Sequence, residues 1–503
     1  MAEKSSMLAA ALALVSMCGC VSVGPDFEPP DPMLPSASFL GKSEPAALAP
    51  ARGNFPPPDP KWWTSFHDPI LASLAERVAA ANLDVQTATL RLAESRFQRG
   101  VAASAELPSI SGNASYQREL YSQNGIFSLA KSFLSPGTPF FIPPISVWQT
   151  TLDASWELDI WGRVRRQVEA ADAQIQVSEA QRRDTLVSTL AELARDYIEL
   201  RGIQAQIAIS NANLARSSEI LQLTKTLATE GLGSDLDVVN ASGQVEAVRA
   251  SLPPLKDQET ARINALSLLL DEPPGSLRGE MAQTKPIPPT PPRAPLGVPS
   301  ELALRRPDIR RAEAQLHAAT ASIGVAVGDF YPSVKLNGSA GFDTLDLRTL
   351  WKGSSLQYAL GPSVSLPIFE GGRLKSTLEL REAQQQEAAI AYHKTVLQAW
   401  HEVVDALVAY RTEQERRASL KAQVDRARQG LALSRTRYHN GLADFISVLD
   451  AERTALQAEL QFAQSTTTVS TDLVQLYKAL GGGWELAFPE ESATSVATLQ
   501  PTP

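Results

Sequence analysis

Cysteine is nearly absent from this 503-residue chain: there are two, Cys18 and Cys20, both near the N-terminus. A disulfide framework and a cysteine-based zinc site are therefore excluded for the body of the chain. Histidine is also scarce. The five present (His67, His317, His393, His401 and His439) form no HExxH pattern and no close pair. There is no long basic run, and 46 basic against 55 acidic residues leave a net charge of −9, which makes nucleic-acid binding a poor fit. No segment reaches the roughly 18 consecutive apolar residues of a transmembrane helix. A chain of this composition that spans a membrane must do so with a closed β-barrel.

Proline is unevenly spread, and its gaps are informative. It is dense from Pro25 to Pro69 and again from Pro273 to Pro307, but absent between Pro144 and Pro253 and between Pro367 and Pro489. Both gaps are long enough for very long helices. Within them an apolar residue recurs every seven positions. The first series is Leu186, Leu193, Leu200, Ile207, Leu214, Leu221 and Ala228; the second is Val396, Val403, Tyr410, Val424, Leu431 and Tyr438. A sustained seven-residue repeat predicts helices packed side by side as a coiled coil, whereas an ordinary amphipathic helix drifts off a strict seven. A helix over 162–230 would be about 100 Å long. Glycines at Gly231, Gly233 and Gly441 predict turns, with returning helices over 234–270 and 443–480.

The two halves also match each other. DIWGRVRRQ (159–167) corresponds to FEGGRLKST (369–377), and LATEGLGSDLDVVNA (227–241) to RYHNGLADFISVLDA (437–451), both at an offset of 210. LPSISGNASY (107–116) corresponds to YPSVKLNGSA (331–340) at an offset of 224, so the first half carries an extra stretch between 118 and 145. Two structural repeats joined by a proline-rich linker follow. Four segments alternate with period two. They run from Ile110 to Tyr116, Leu152 to Ile160, Val334 to Phe342 and Leu356 to Ile368, with Asp153, Glu157, Asp159, Lys335 and Asn337 among the polar positions. That pattern fits tilted barrel strands. Four strands cannot close a membrane barrel, whose smallest versions have eight, so several chains must share one.

The N-terminus has a lysine, an apolar stretch from Met7 to Met17 and small residues before Cys20, the order of a secretory signal. Met17-Cys18-Gly19-Cys20 resembles a bacterial lipobox, in which the last cysteine becomes the acylated first residue. VGPDFEPP, WWTSFHDPILASL, ELDIWGRVRR, RRPDIRRAEAQL, FYPSVKLNGSAGF, LPIFEGGRL, VLDAERTALQAE and LYKALGGGW then follow in order. Together these motifs resemble the TolC-like outer-membrane factors, in particular the lipoprotein branch (NodT/OprM-like) that serves RND-type efflux pumps.

The resemblance implies a mostly helical homotrimer with a β membrane part, four strands per chain entering a shared twelve-stranded barrel. It also implies an α-barrel in the periplasm, a lipid-anchored outer-membrane location, a periplasmic adaptor and an inner-membrane RND pump as partners, no cofactor and no enzymatic activity. The implied organisation is a signal peptide (1–19), an N-terminal arm (20–69), a first repeat (70–272), an equatorial linker (273–304), a second repeat (305–484) and a C-terminal tail (485–503). By motif alignment the family's periplasmic gate falls on Asp237, Tyr438, Ile446 and Asp450. Ala443 and Ser447 occupy positions that are Arg and Asp in some members, which weakens a salt bridge between protomers there. Asp237 and Asp450 have a second reading as helix caps or first-turn acids. A type I secretion duct would share the fold; a periplasmic coiled-coil scaffold would explain the heptads but not the strands. An enzyme reading has only HEVVD (401–405), which lacks the second histidine of a zinc helix.

Overall fold

The computed structural model describes residues 22–34, 59–122, 143–291, 302–485 and 487–488. The lipobox with Cys20, the stretch 123–142, most of the tail and residues 292–301 of the linker lie outside them. Among the described residues no helix is long and apolar enough to cross a membrane.

The elements follow the proline and glycine punctuation. Helix α1 is Pro69–Ala81, capped by the Asp68 side chain, with proline at its first position where no N–H is needed. Helix α2 is Leu83–Ala103. Strands β1 (Ser109–Glu119) and β2 (Ile145–Leu158) precede the 67-residue helix α3, Arg163–Thr229. Helix α4 (Asp235–Leu269) returns and carries Pro253 and Pro254 in its interior. Helix α5 (Pro307–Gly328) again opens on proline, and strands β3 (Ser333–Thr344) and β4 (Leu356–Ser365) follow. The second 67-residue helix, α6 (Arg373–His439), and the returning α7 (Phe445–Ala479) complete the order. The bounds of α6 and α7 lie 210 residues beyond those of α3 and α4, as the sequence motifs do.

The chain divides into two compact units. The first comprises the described residues up to Pro29 and those of Ala93–Gln176 and Ala314–Ile390. It holds one antiparallel sheet in the order β1-β2-β3-β4. Leu152 pairs with Gly112 and Ala340, Trp156 with Leu336, and Gly338 with Leu360, so apolar residues share one face. Asp153 pairs with Ser111 and Ser339, Glu157 with Lys335, and Asn337 with Ser155 and Gly361 on the other face. The polar face is cross-linked: Asn113 donates to Asp153 (2.8 Å), Ser155 to Asn337 (2.9 Å) and Asn337 to Ser363 (2.8 Å). The predicted alternation holds within the strands and is corrected at two ends: β4 stops at Ser365, short of Leu366 and Ile368, and β2 stops short of Asp159 and Ile160. Asp159 is not a strand residue: β2 ends at Leu158, and the Asp159 carboxylate accepts from the backbone N–H of Val164 (3.0 Å) and Arg165 (2.9 Å) at the start of α3. Those N–H groups have no partner within the helix, so a carboxylate there satisfies them.

An N-terminal strap completes this unit. Val23 donates to the Trp161 carbonyl (3.0 Å), and the buried Arg166 guanidinium donates to the Val23 carbonyl (3.1 Å) and the Asp26 carboxylate (2.6 Å). Gly24, at φ +88°, lies so close to Gly324 that a β-carbon on it would sit 2.4 Å from the Gly324 Cα.

The second unit comprises the described residues of Pro30–Leu92, Val177–Glu313 and Ala391 onwards. Its core packs Leu186, Leu190, Leu193, Tyr197 and Leu200 of α3 with Leu71 and Leu74 of α1, Val396, Val403 and Tyr410 of α6 and Leu473 and Tyr477 of α7. Leu186, Leu193 and Leu200 are fully buried, as the heptad reading requires. Further along α3 that reading needs correction. Ile207, Leu214 and Leu221 are only half-buried, and the buried line moves to Ser210, Ser217 and Thr224. A helix flanked by neighbours on two sides has two seams, and along this part of α3 the polar seam is the more deeply covered one.

Candidate functional site

The site lies in the second unit, where the hairpins α3–α4 and α6–α7 turn. Both turns are built alike. Gly231 and Gly441 each take φ +68°, a left-handed conformation in which a β-carbon would be strained. Leu232 donates to the Leu227 carbonyl (2.8 Å) and Gly231 to Ala228 (3.1 Å); Leu442 donates to Arg437 (2.8 Å) and Gly441 to Tyr438 (2.9 Å). These paired bonds close each long helix in the Schellman manner. Gly233 is needed for a different reason: a β-carbon there would approach the Ala228 backbone nitrogen to 3.1 Å.

The caps are Ser234, whose hydroxyl accepts from the Leu236 N–H (3.2 Å), and Asp444, which accepts from the N–H (3.2 Å) and hydroxyl of Ser447. The Asp444 carboxyl is held below its usual range by those two bonds. Asp237 is thus a first-turn acid and not the cap, while Asp450 is neither, since α7 has no acid in its first turn. Sequence reasoning missed Asp444, although its place 210 residues after Ser234 marks it.

Beside the turns a small apolar cluster joins the hairpins: Ile220, Ala241, Phe445, Val448 and Leu449, with Leu221 and Tyr438 against it. Tyr438 meets Phe445 edge-on, with ring centroids 5.8 Å apart. Burial pushes the Tyr438 phenol up; a hydrogen bond with Thr224 opposes this, and the charge of Asp237 adds to it. The structure therefore brings Asp237 and Tyr438 together across the hairpins. Ile446 and Asp450 stand apart from them, one turn from each other on an exposed face of α7.

Behind the cluster the seam is ionic. Glu459, almost wholly buried, accepts from Arg216 of α3 (3.2 Å) and Arg428 of α6 (2.7 Å). Glu452, seven residues earlier, accepts from the Ser217 hydroxyl (2.9 Å) and lies 3.8 Å from Arg435. Burial raises the Glu452 carboxyl above its ordinary range, against the lowering effects of Ser217, Arg435 and Arg216. Glu452 and Glu459, seven residues apart on α7, meet Ser217 and Arg216 of α3 and so form a heptad line of polar and charged groups that begins where the apolar cluster around Phe445 ends. Its signal was present in the sequence but does not register in an apolar count. His401 of the HEVVD segment is exposed, and its neighbour Glu402 is bound by Arg306 (2.7 Å).

Very long paired helices, closed by matched glycine turns, thus occur in one chain with an amphipathic sheet whose two edge strands have no partner among the described residues. These elements suit a membrane-embedded duct. The chain belongs to the outer membrane efflux protein family, whose model matches residues 74–272 and 298–482. It is 31% identical over 487 residues to the probable efflux pump outer membrane protein SepC of Pseudomonas putida, covering 96% of this chain and 98% of that protein. It is 30% identical over 492 residues to outer membrane protein OprJ of Pseudomonas aeruginosa, covering 96% and 97%. Among solved structures, the outer-membrane channel OprN superposes with a TM-score of 0.83 at 33% identity, covering 92% of this chain and all of that one.

Proposed function

We propose that this chain is the outer-membrane duct of a tripartite RND-type efflux system, working as a homotrimer with a periplasmic adaptor and an inner-membrane pump. The observation that carries the reading is the sheet: four strands, apolar on one face and hydrogen-bonded polar on the other, with β1 and β4 unpaired at its edges among the described residues. Sheet edges in lipid must be closed, and three copies give a twelve-stranded barrel. Leu152, Trp156, Leu336 and Leu360 then face lipid, while Asp153, Glu157, Lys335 and Asn337 line the lumen. The first and second repeats (70–272 and 305–484), separated by the linker 273–304, each supply two strands and one long hairpin.

Acylation at Cys20, after removal of residues 1–19, is supported by the strap. Ser22 lies beside Gly162, next to the junction of β2 and α3, and Cys20 is two residues away, at most about 7 Å of chain.

The periplasmic gate is the pair of turns. Three copies of Asp237 and Asp450 form acidic rings that attract cations and bind multivalent ones, and Ile446 and Tyr438 narrow the opening. Planar-bilayer conductance with and without a trivalent cation tests this. Asp237→Ala/Asp450→Ala should lose cation preference and block. Full retention of both would place the rings elsewhere.

A further inference from the structure

The connections β1–β2 and β3–β4 lie at the end of the sheet away from the helices, because α2, α3, α5 and α6 all join its other end. At that far rim the apolar face ends in aromatic rings. Tyr116 lies 4.2 Å from Trp148, and Phe342 meets Trp351 edge-on with centroids 5.3 Å apart. The strand pairing sets Tyr116, Trp148 and Phe342 on the same face as Leu152. Trp156 marks the opposite level of that face, eight residues further along β2 than Trp148, or about 27 Å of strand. At a barrel tilt of about 35–45° this is about 20 Å of height, comparable with the apolar band that separates the two aromatic girdles of a membrane barrel.

Beyond the far aromatic level, charge is sorted by face. Arg118, two residues past Tyr116 and paired with Ser146, continues the apolar face. Glu119 and Asp343 fall on the polar face, in step with Asn113 and Ser339. The β3–β4 connection adds two cations, Arg348 and Lys352, beside Trp351, which is 72% exposed; Leu345 and Leu347 are exposed there too. Arg118, Arg348 and Lys352 form no ion pair among the described residues. The connection holds its side chains in place. The Asp346 carboxylate accepts from the Arg348 N–H (3.0 Å), the Thr349 N–H donates to the Asp346 carbonyl (2.9 Å) and the Lys352 N–H to the Thr349 carbonyl (3.0 Å). The Ser355 hydroxyl closes it on the Thr349 carbonyl (2.9 Å). Bonds between residues three apart set Arg348 and Trp351 on one side of the turn.

We infer that this rim binds a phosphorylated glycolipid of the outer leaflet, its acyl chains against Trp148, Phe342 and Trp351 and its phosphates on Arg118, Arg348 and Lys352. The inference rests on the membrane duct proposed above, which sets this end of the sheet at the outer leaflet. Closing the sheet with further copies brings the outer end of β1 beside that of β4. Arg118 of the next copy then reaches the level of Leu356, next to the connection that carries Arg348 and Lys352, so each of three junctions collects all three cations. A zwitterionic head group would bring its own ammonium to a place already positive and without a carboxylate on that face. A sugar head group with phosphates is anionic throughout, and each phosphate can take a guanidinium fork through two hydrogen bonds. Aromatic rings with a polar tip suit the level where head groups meet acyl chains.

Lipid retention by the detergent-purified protein tests this, with bisphosphorylated lipid A, fully dephosphorylated lipid A and phosphatidylcholine as probes and mass spectrometry as the readout. The unaltered trimer should retain the bisphosphorylated form about tenfold or more over the other two, since each basic residue near an anionic lipid surface adds to binding. Arg118→Gln/Arg348→Gln/Lys352→Gln should lose that preference while keeping heat-resistant trimer and conductance. Equal retention of the three probes by the unaltered trimer, or an undiminished preference in the triple variant, overturns the inference. A nitroxide on Trp351→Cys gives a readout that does not depend on the yield of the triple variant. In bilayers containing bisphosphorylated lipid A it should be relaxed more by oxygen, which partitions into lipid, than by a water-soluble nickel chelate; the reverse order places Trp351 in water and overturns the inference. No selective retention by a trimer that still conducts in planar bilayers overturns the rim but not the duct. Absence of both trimer and conductance in the unaltered protein overturns both.

Discussion

Phe445→Ala isolates what holds the turn region closed. Phe445 is 3% exposed and belongs to a cluster of only five buried residues, whereas the main core of the same unit is many times larger. Replacing a buried phenylalanine by alanine costs about 3–5 kcal/mol, from lost transfer energy plus the cavity left behind. Here the residues on either side are an exposed turn and the Glu452–Glu459 seam, whose ion pairs contribute little net stability because their desolvation offsets their attraction. The cost therefore falls on local separation of the hairpin ends and not on global unfolding. At the lower bound of about 3 kcal/mol, the open population rises by roughly a hundredfold.

Amide exchange read on peptides covering 234–245 and 436–449 should accelerate by that order, with exchange around Leu193 unchanged. Resting conductance in planar bilayers should rise in parallel. Ile446→Ala is the control: its side chain is 52% exposed, so stability should move by less than about 0.5 kcal/mol. Any conductance it adds comes from width alone, without faster exchange. If Phe445→Ala exchanges and conducts like the unaltered protein, the cluster does not hold the hairpins together.

Four further outcomes follow. Leu336→Arg should reduce heat-resistant trimer far more than Asn337→Arg, since a charge on the lipid face costs about 2–4 kcal/mol at mid-bilayer; equal yields would refute the assignment of faces. Cys20→Ser should abolish metabolic labelling with palmitate, and unaltered labelling would refute Cys20 as the acylated residue. Arg306→Met leaves Asp308 and Glu402 without their shared guanidinium and the Ala479 carbonyl without its donor. Because Glu402 is exposed and Asp308 reaches solvent, the main loss is the buried bond to the Ala479 carbonyl, so stability should fall by about 1–3 kcal/mol, read as a lower thermal midpoint. Burial, and secondarily Glu413, raise the Asp472 carboxyl to about 6. The folded state thus binds this proton more tightly than the unfolded one, and stability falls as pH rises from the ordinary aspartate range through about 6. Asp472→Asn should flatten that slope and stabilise the protein above it, as measured by thermal melts from acid to neutral pH.

Sequence alone determined the parts. Proline-free runs set the length of α3 and α6, because nothing in them interrupts the helix; paired glycines set the turns, because only glycine adopts φ +68° there without strain. Alternation set the two faces of each strand, because a strand's side-chain period is two residues. Leu186, Leu193 and Leu200 were legible as core because apolar groups at one spacing leave water together. Tertiary structure decided the partners. The pairing of β2 with β3 joins residues such as Ser155 and Asn337, 182 positions apart, and no local pattern encodes it. Asp159 could be told from a lumen residue only once β2 was seen to stop one residue earlier. Near the turns, the same heptad count fits either side of α3, so periodicity could not choose between the line of Leu214 and Leu221 and the line of Ser217 and Thr224. The choice fell to the second because Glu452 and Glu459 come from the other hairpin. Buried carboxylates need hydroxyls and guanidinium groups opposite them, and that requirement exists only after the two hairpins have met.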